Sequence, residues 1–139
     1  DVYFLGRSIH HPIALEGALK LKELAYIHAE GMAAGELKHG TLALVEEGTP
    51  AVIINPNDEP SQDTISNAIE MKSRGAKIIG VSSINDSVYD YWIKIPEVDK
   101  ILYPILEVIP LQILAYYTAI RRKHNPDYPR NLAKSVTVK

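Results

Sequence analysis

The sequence predicts an α/β fold in which a parallel sheet is flanked by helices in a three-layer arrangement. Two continuous apolar runs, Ala51–Ile54 and Lys77–Val81, have the length and β-branched content of strands buried on both faces, as in parallel sheets. A helical pattern lies between these runs, and glycine or Asn-Pro punctuation separates the elements. Strands that alternate with helices indicate parallel strands whose crossovers cover both faces of the sheet.

The elements follow one another along the chain in this alternating order. The predicted strands are Val2–Leu5, Ala51–Ile54, Lys77–Val81 and Tyr91–Ile95. The predicted helices are Pro12–Ala29, Ser61–Ser73 and Leu102–Arg122, with a short helical turn at Ala33–His39. Residues 125–139 contain two prolines and no periodicity, so they are predicted to form a C-terminal tail. Ligands of such sheets bind beyond the carboxyl ends of the strands, which directs attention to the loops there.

The composition fits a single domain over residues 1–139 and excludes several classes of function. The net charge is −2, so the chain lacks the basic excess that nucleic acid or an anionic membrane surface attracts. Cysteine is absent, which excludes disulfides, thiolate metal sites and cysteine nucleophiles. We expect a cytoplasmic location, with which this absence is compatible.

One apolar stretch, residues 101–120, raises the question of a membrane helix. It contains Pro104, Glu107, Pro110 and Gln112, which favour a buried core helix instead. We therefore expect no membrane partner.

The first long helix carries the most informative polar pattern. Glu16, Lys20 and Glu23 are spaced i, i+4 and i+7, so they share one helix face. The pattern is typical of a solvated face with an ion pair. It also fits a ligand site in which a glutamate moves a proton between adjacent sugar carbons. Spacing alone favours the solvated face.

Two further residues are candidates for chemistry. His39 lies between two glycines, where it is either part of a polar helix end or an acid or base near neutral pH. Lys134, in the tail, is either solvated or an amine able to form a Schiff base with a carbonyl. The histidines show no ligand-like spacing, so we expect no metal site, and no cofactor motif is present.

Four segments, distributed over nearly the whole chain, carry a recognisable pattern: Pro12–Glu23, His28–Glu30, Gly35–Gly40 and Pro129–Val138. In sequence and in order they resemble the second sugar isomerase (SIS) subdomain of the glutamine–fructose-6-phosphate aminotransferase (glucosamine-6-phosphate synthase) family. The tail segment is the most specific of them. The resemblance implies a SIS (flavodoxin-like) half-domain and an enzyme that makes glucosamine 6-phosphate from fructose 6-phosphate and glutamine-derived ammonia.

The resemblance also implies a role for each candidate residue. Glu23 matches the glutamate that transfers a proton between C1 and C2 of the sugar, and Lys20 matches the lysine that assists it. His39 matches the histidine that opens the sugar ring from the neighbouring subunit, which implies a homodimer. Lys134 matches the lysine that forms the Schiff base, and Ala133 matches the residue whose backbone contacts the sugar. Residues 125–139 are thereby expected to lie over the active site.

The sequence departs from the family pattern at two loop positions. Ser8 stands where the family usually has glycine, and Thr41 stands where many members have proline. The family's phosphate-gripping Ser/Thr loop belongs to a preceding SIS subdomain, and its glutaminase domain precedes that. Neither is found in these 139 residues, so we expect both in a parent protein and no turnover by this chain alone.

Two other functions remain open. The chain could be a non-catalytic SIS module that binds sugar phosphate and dimerises. It could also belong to a fructosamine-6-phosphate deglycase, although the tail motif argues against this.

Overall fold

Five parallel strands form one sheet in the computed structural model, which describes residues 1–132. The strands are β1 (Val2–Gly6), β2 (Ala29–Ala33), β3 (Pro50–Ile54), β4 (Lys77–Ser82) and β5 (Tyr91–Lys94). Their order across the sheet is β2-β1-β3-β4-β5, and every neighbouring pair is parallel. The α/β fold class predicted from the sequence is confirmed.

Three α-helices cover the two faces of this sheet. They are α1 (His11–Ala25), α2 (Ser61–Lys72) and α3 (Tyr103–Arg121). Helices α1 and α3 pack on one face and α2 on the other, so alternate residues of β3 enter two separate cores: Val52 and Ile54 join the α1/α3 side, and Ala51 and Ile53 join the α2 side. The three predicted layers are therefore present.

Close approach between α1, α3 and the sheet depends on Gly17. A Cβ atom there would lie 2.7 Å from the Leu111 side chain of α3 and 3.0 Å from the ring of Phe4 in β1. Glycine at this position thus lets α1 approach both β1 and α3 closely without a steric conflict.

The segment after α1 differs from its prediction. The structure ends α1 at Ala25 and forms β2 from residues that the sequence pattern assigned partly to the helix. β2 is rich in alanine and glycine, which are poor strand formers, and it forms through its ladder with β1. The sheet consequently has five strands, one more than the sequence indicated.

Helix α3 is buried on one face only. Its inward residues recur every four positions: Tyr103, Glu107, Leu111, Ala115 and Ala119. Its outward side is also apolar, and Ile105 there is 61% exposed. Residues Lys100–Arg121 have the length and hydropathy of a membrane span, by composition alone, with 22% of the tested window buried. The prediction of a buried core helix holds for the face toward α1, whereas the outer face has no cover from residues 1–132.

The substituted loop position Ser8 adopts a backbone conformation that favours glycine. Its φ is 53°, in the left-handed region, which glycine adopts at no steric cost. Thr41 opens a short 3-10 helix, Thr41–Leu44.

Candidate functional site

The three polar residues predicted to share a face of α1 do lie together. Lys20 Nζ donates a hydrogen bond to Glu23 Oε2 at 2.6 Å and lies 3.5 Å from Glu16 Oε1. The side chains of Lys20 and Glu23 are 26% and 29% exposed, so the pair is partly buried but open to solvent. The hydrogen bond to Glu23 is the largest cause that raises the pKa of Lys20, which keeps this lysine an ammonium. Lys20 is therefore suited to hold charge and unsuited to act as an amine nucleophile.

A groove opens beside this pair at the end of α1. Its volume is about 400 Å³, within the size range of small-molecule sites, and Glu23 contributes to its wall. The beginning of the tail, including Arg130 and Leu132, also lines this groove. The structure thus places residues 130–132, the described end of the tail, beside Glu23. Ala133 and Lys134 lie outside the described residues.

His39 lies in a different part of the molecule. It ends the 3-10 helix Ala34–His39, where its ring N–H donates to Glu36 at 2.8 Å, and its side chain is 72% exposed. This 3-10 helix follows the carboxyl end of β2, whereas Glu23 lies near the end of α1, which returns to the amino ends of the strands. Within one chain, His39 therefore lies at the carboxyl ends of the strands and Glu23 at their amino ends.

The carboxyl edge of the sheet holds a buried cluster that the sequence reasoning missed. His10 Nε2 donates to Asp58 Oδ2 at 2.8 Å, and His10 Nδ1 lies 2.7 Å from Glu107 Oε1. These side chains are 2%, 5% and 0% exposed, respectively. We call His10, Asp58 and Glu107 the buried cluster. It joins the turn before α1, the loop after β3 and helix α3.

The charges of this cluster determine the state of its histidine. Burial by itself lowers the pKa of His10, but hydrogen bonding and charge from Glu107 and Asp58 outweigh burial, so the pKa is raised above its ordinary value. An imidazolium between two carboxylates results, with Lys100 Nζ 4.0 Å from Asp58 at the rim. A charged residue in the inward phase of an otherwise apolar helix is the signal by which Glu107 could have been found.

The buried cluster lies at the carboxyl ends of the strands, where the fold predicted from the sequence leads us to expect a ligand site. The strand order reverses between β1 and β3, and the crevice beyond their carboxyl ends is the usual ligand site of such sheets. Here His10 occupies that crevice and is 1% exposed. A polar pocket beside it, between the loops after β3 and β4, has a volume of about 80 Å³, which is smaller than a typical ligand site. The larger opening is the groove at the end of α1.

No set of three or more histidine, aspartate or glutamate side chains within residues 1–132 has an arrangement that could hold a metal ion.

The fold and these sites define a doubly wound α/β domain with an open groove beside Glu23 at the end of α1. Residues 1–122 match the family described as SIS domain, and the chain belongs to that family.

Comparison with individual proteins shows which members of the SIS family the chain is similar to. The chain is 56% identical over 140 residues to "Glutamine--fructose-6-phosphate aminotransferase [isomerizing]" of Thermococcus kodakarensis, covering 99% of this chain and 23% of that protein. It is similar, with a TM-score of 0.85 and 41% identity, to the C-terminal domain of glucosamine-fructose-6-phosphate aminotransferase from Francisella tularensis, covering 91% of this chain and 37% of that one. The resemblance to this aminotransferase family stated from the sequence is confirmed.

A more distant relative of known structure is named for a different activity. Glucosamine-6-phosphate deaminase from Thermotoga maritima superimposes with a TM-score of 0.72 at 29% identity, covering 97% of this chain and 40% of that chain. The chain spans about a quarter of the length of the curated relatives it matches.

Proposed function

We propose that this chain is the isomerase part of an enzyme that makes glucosamine 6-phosphate from fructose 6-phosphate and ammonia released from glutamine. The observation that carries the proposal is Glu23, which lines an open groove at the point where the tail begins and is held by Lys20 at 2.6 Å. The identity of 56% to an aminotransferase over nearly the whole chain supports the same conclusion.

In the proposed reaction, Lys134 provides the amine. Its uncharged Nζ adds to the C2 carbonyl of the open-chain ketose, and the carbonyl oxygen leaves as water to give an imine. Ammonia then replaces the lysine on C2, so Lys134 is released as a free amine. The backbone of Ala133 is assigned to contact the sugar. The raised pKa of Lys20 supports this division of roles, because an ammonium at Lys20 cannot add to a carbonyl.

Glu23 moves the proton in the following step. Its carboxylate takes a proton from C1 and returns a proton to C2, which converts the C2 imine and C1 alcohol into a C2 amine and C1 aldehyde without an oxidant. Lys20, fixed on Glu23 by the 2.6 Å hydrogen bond, orients that carboxylate and compensates charge on the sugar oxygens.

His39 is proposed to open the sugar ring from a second copy of the chain. The support is its position at the edge of the sheet opposite to Glu23, where it cannot serve the groove of its own chain. The apolar outer face of α3 supports further packing partners, either a second copy or a preceding SIS subdomain. We also propose a glutaminase domain in the parent protein and a cytoplasmic location.

A binding module without chemistry is the second candidate function, and it describes the isolated chain best. The described residues contain no Ser/Thr loop able to grip a phosphate, so the groove would hold sugar phosphate only with the help of another subdomain. A deglycase has less support, because relatives at 50–56% identity are named as aminotransferases.

The test is an activity assay on the full-length protein that contains this chain. Fructose 6-phosphate and ammonia are supplied, and glucosamine 6-phosphate is measured. Borohydride is used in parallel to reduce the imine and fix labelled sugar on the protein. We expect both signals to disappear in Lys134→Ala and to persist in the matched control Lys77→Ala, an exposed lysine on β4. Undiminished product formation by Lys134→Ala would rule out the Schiff-base role.

A further inference from the structure

Tyr26, the residue that follows α1, has an unusual backbone conformation. Its φ and ψ are 54° and 39°, in the left-handed region, and its N–H donates to Lys22 O at 3.2 Å to close the helix. Glycine is the common residue at this position because a side chain there costs about 1–2 kcal/mol. A bulky aromatic residue persists in such a place only where other contacts hold it.

The contacts of the tyrosine ring come from residues far along the chain. The guanidinium carbon of Arg130 lies 4.1 Å from the ring centroid, in cation–π geometry. The backbone N–H of Arg130 donates to the Tyr26 hydroxyl at 2.8 Å. The imidazole of His124 approaches the same ring edge-on, with 4.6 Å between centroids. Both the backbone and the side chain of Arg130 are therefore bound to one tyrosine.

This pair fixes the first residues of the tail beside the candidate catalytic glutamate. Tyr26 follows Glu23 by one helical turn, and both residues line the groove together with Arg130 and Leu132. Four residues of extended chain span at most about 14 Å, so holding Arg130 limits how far Lys134 can be from the groove. Without such a fixed point, the lysine of a terminal tail would explore a much larger volume.

We propose that Tyr26 and Arg130, which we call the tail anchor, are positioning residues that hold the start of the tail against the end of α1. The anchor rests on the proposed function, since it delivers Lys134 to the groove that contains Glu23. It touches no reacting atom itself. Its effect is to limit the positions available to the lysine, which raises the fraction of bound sugar that meets the amine in a reactive geometry.

The anchor is tested with variants of Tyr26 in the full-length protein. Tyr26→Leu removes the stacking surface and the hydroxyl acceptor. Tyr26→Phe, the matched control, removes the hydroxyl only. Tyr26→Gly removes the ring while favouring the left-handed backbone, so any loss of function in this variant is not a consequence of a strained helix end.

Two measurements test the tail anchor and the proposed reaction independently of each other. Hydrogen exchange of residues 130–139 reports the attachment of the tail whatever chemistry the protein performs. We expect faster exchange across this segment in Tyr26→Leu and Tyr26→Gly, and a smaller change near Arg130 in Tyr26→Phe. Unchanged exchange in all three variants would overturn the anchor. If borohydride does not fix sugar on the wild-type protein, the proposed function is overturned. The exchange result would still decide whether the anchor exists.

Kinetics provide the readout that a merely structural contact would not change. We expect kcat and the rate of borohydride labelling to fall together by about 10- to 100-fold in Tyr26→Leu and Tyr26→Gly, with a similar KM. In Tyr26→Phe the loss should be about 10-fold or less, as for one hydrogen bond. Wild-type kcat and labelling in Tyr26→Leu would contradict the proposal. So would a loss that only follows the fraction of unfolded protein.

Discussion

The two charged groups at opposite ends of this domain have the same arrangement of charges and differ in their exposure to solvent. In each, one cationic residue lies between two carboxylates: His10 between Asp58 and Glu107, and Lys20 between Glu16 and Glu23. The side chains of the buried cluster are at most 5% exposed, whereas those of the Lys20 group are 26–38% exposed.

The difference indicates which group can react with a substrate. In the buried cluster the two carboxylates depend on one cation, His10, and removing it leaves uncompensated charge in a medium of low dielectric constant. In the Lys20 group, water or a sugar hydroxyl can exchange with the existing contacts at little cost. We therefore expect changes in the buried cluster to act on stability and changes in the Lys20 group to act on catalysis.

The largest expected effect is catalytic. Glu23→Gln in the full-length protein should lower kcat by about 10²- to 10⁴-fold because the amide cannot accept the C1 proton. The free energy of unfolding should change by less than about 0.5 kcal/mol, as for other open surface positions. Steady-state assays and denaturant titration measure the two quantities. Activity within a few-fold of wild type would exclude Glu23 as the proton-transfer residue.

The next largest effect is structural. His10→Leu should lower the free energy of unfolding by about 3–5 kcal/mol, because it leaves Asp58 and Glu107 buried without their cationic partner. The double variant His10→Leu, Glu107→Leu should recover part of this loss by removing one of the two stranded charges. Equal stability of wild type and His10→Leu in urea titrations would show that the cluster contributes nothing.

A smaller effect concerns the pH dependence of stability. The pKa of His10 is raised in the folded state, so the stability due to its protonation is fully present below the unfolded pKa, about 6.5, and is lost as pH rises through the folded value. The facing groups are Asp58, Glu107 and, at the rim, Lys100. Between pH 6 and 9 the stability difference between wild type and His10→Gln should shrink with rising pH. A constant difference would indicate that His10 does not change protonation in this range.

The smallest effect concerns association of the isolated chain. The outer face of α3 exposes Ile105, Ile109 and Ile113, among other apolar residues, so the 139-residue chain should self-associate in sedimentation experiments. Ile109→Lys should weaken this association, whereas Ile84→Lys, at an exposed apolar residue elsewhere, should not. A clean monomer of the wild-type chain at high concentration would contradict the proposal.

Much of the fold could be predicted from the sequence because its strands and helices have strong local patterns. β3 and β4 are continuous apolar runs, and α2 lies between clear punctuation marks. β2 could not be predicted, since its alanine and glycine content gives no strand signal and its ladder with β1 supplies the stability.

Only part of the candidate site could be predicted, and the prediction depended on helix spacing together with the family resemblance. Spacing placed Glu23 beside Lys20 on α1, but only the family resemblance gave those residues a role. The cluster around His10 joins three distant segments, so the pattern of α3 could indicate Glu107 but not its partners His10 and Asp58. Tyr26 in a left-handed conformation runs against residue preference, so it becomes visible only when the contacts of Arg130 are known.

The proposed sharing of one site between two copies can be measured directly by complementation. Full-length Glu23→Gln and His39→Ala proteins, each expected to be inactive alone, are co-expressed so that mixed dimers form. If His39 serves the groove of the other copy, each mixed dimer contains one intact site, and about one quarter of the wild-type activity should return. No recovery in mixed dimers of confirmed composition would contradict the account, because it would place Glu23 and His39 in the site of the same chain.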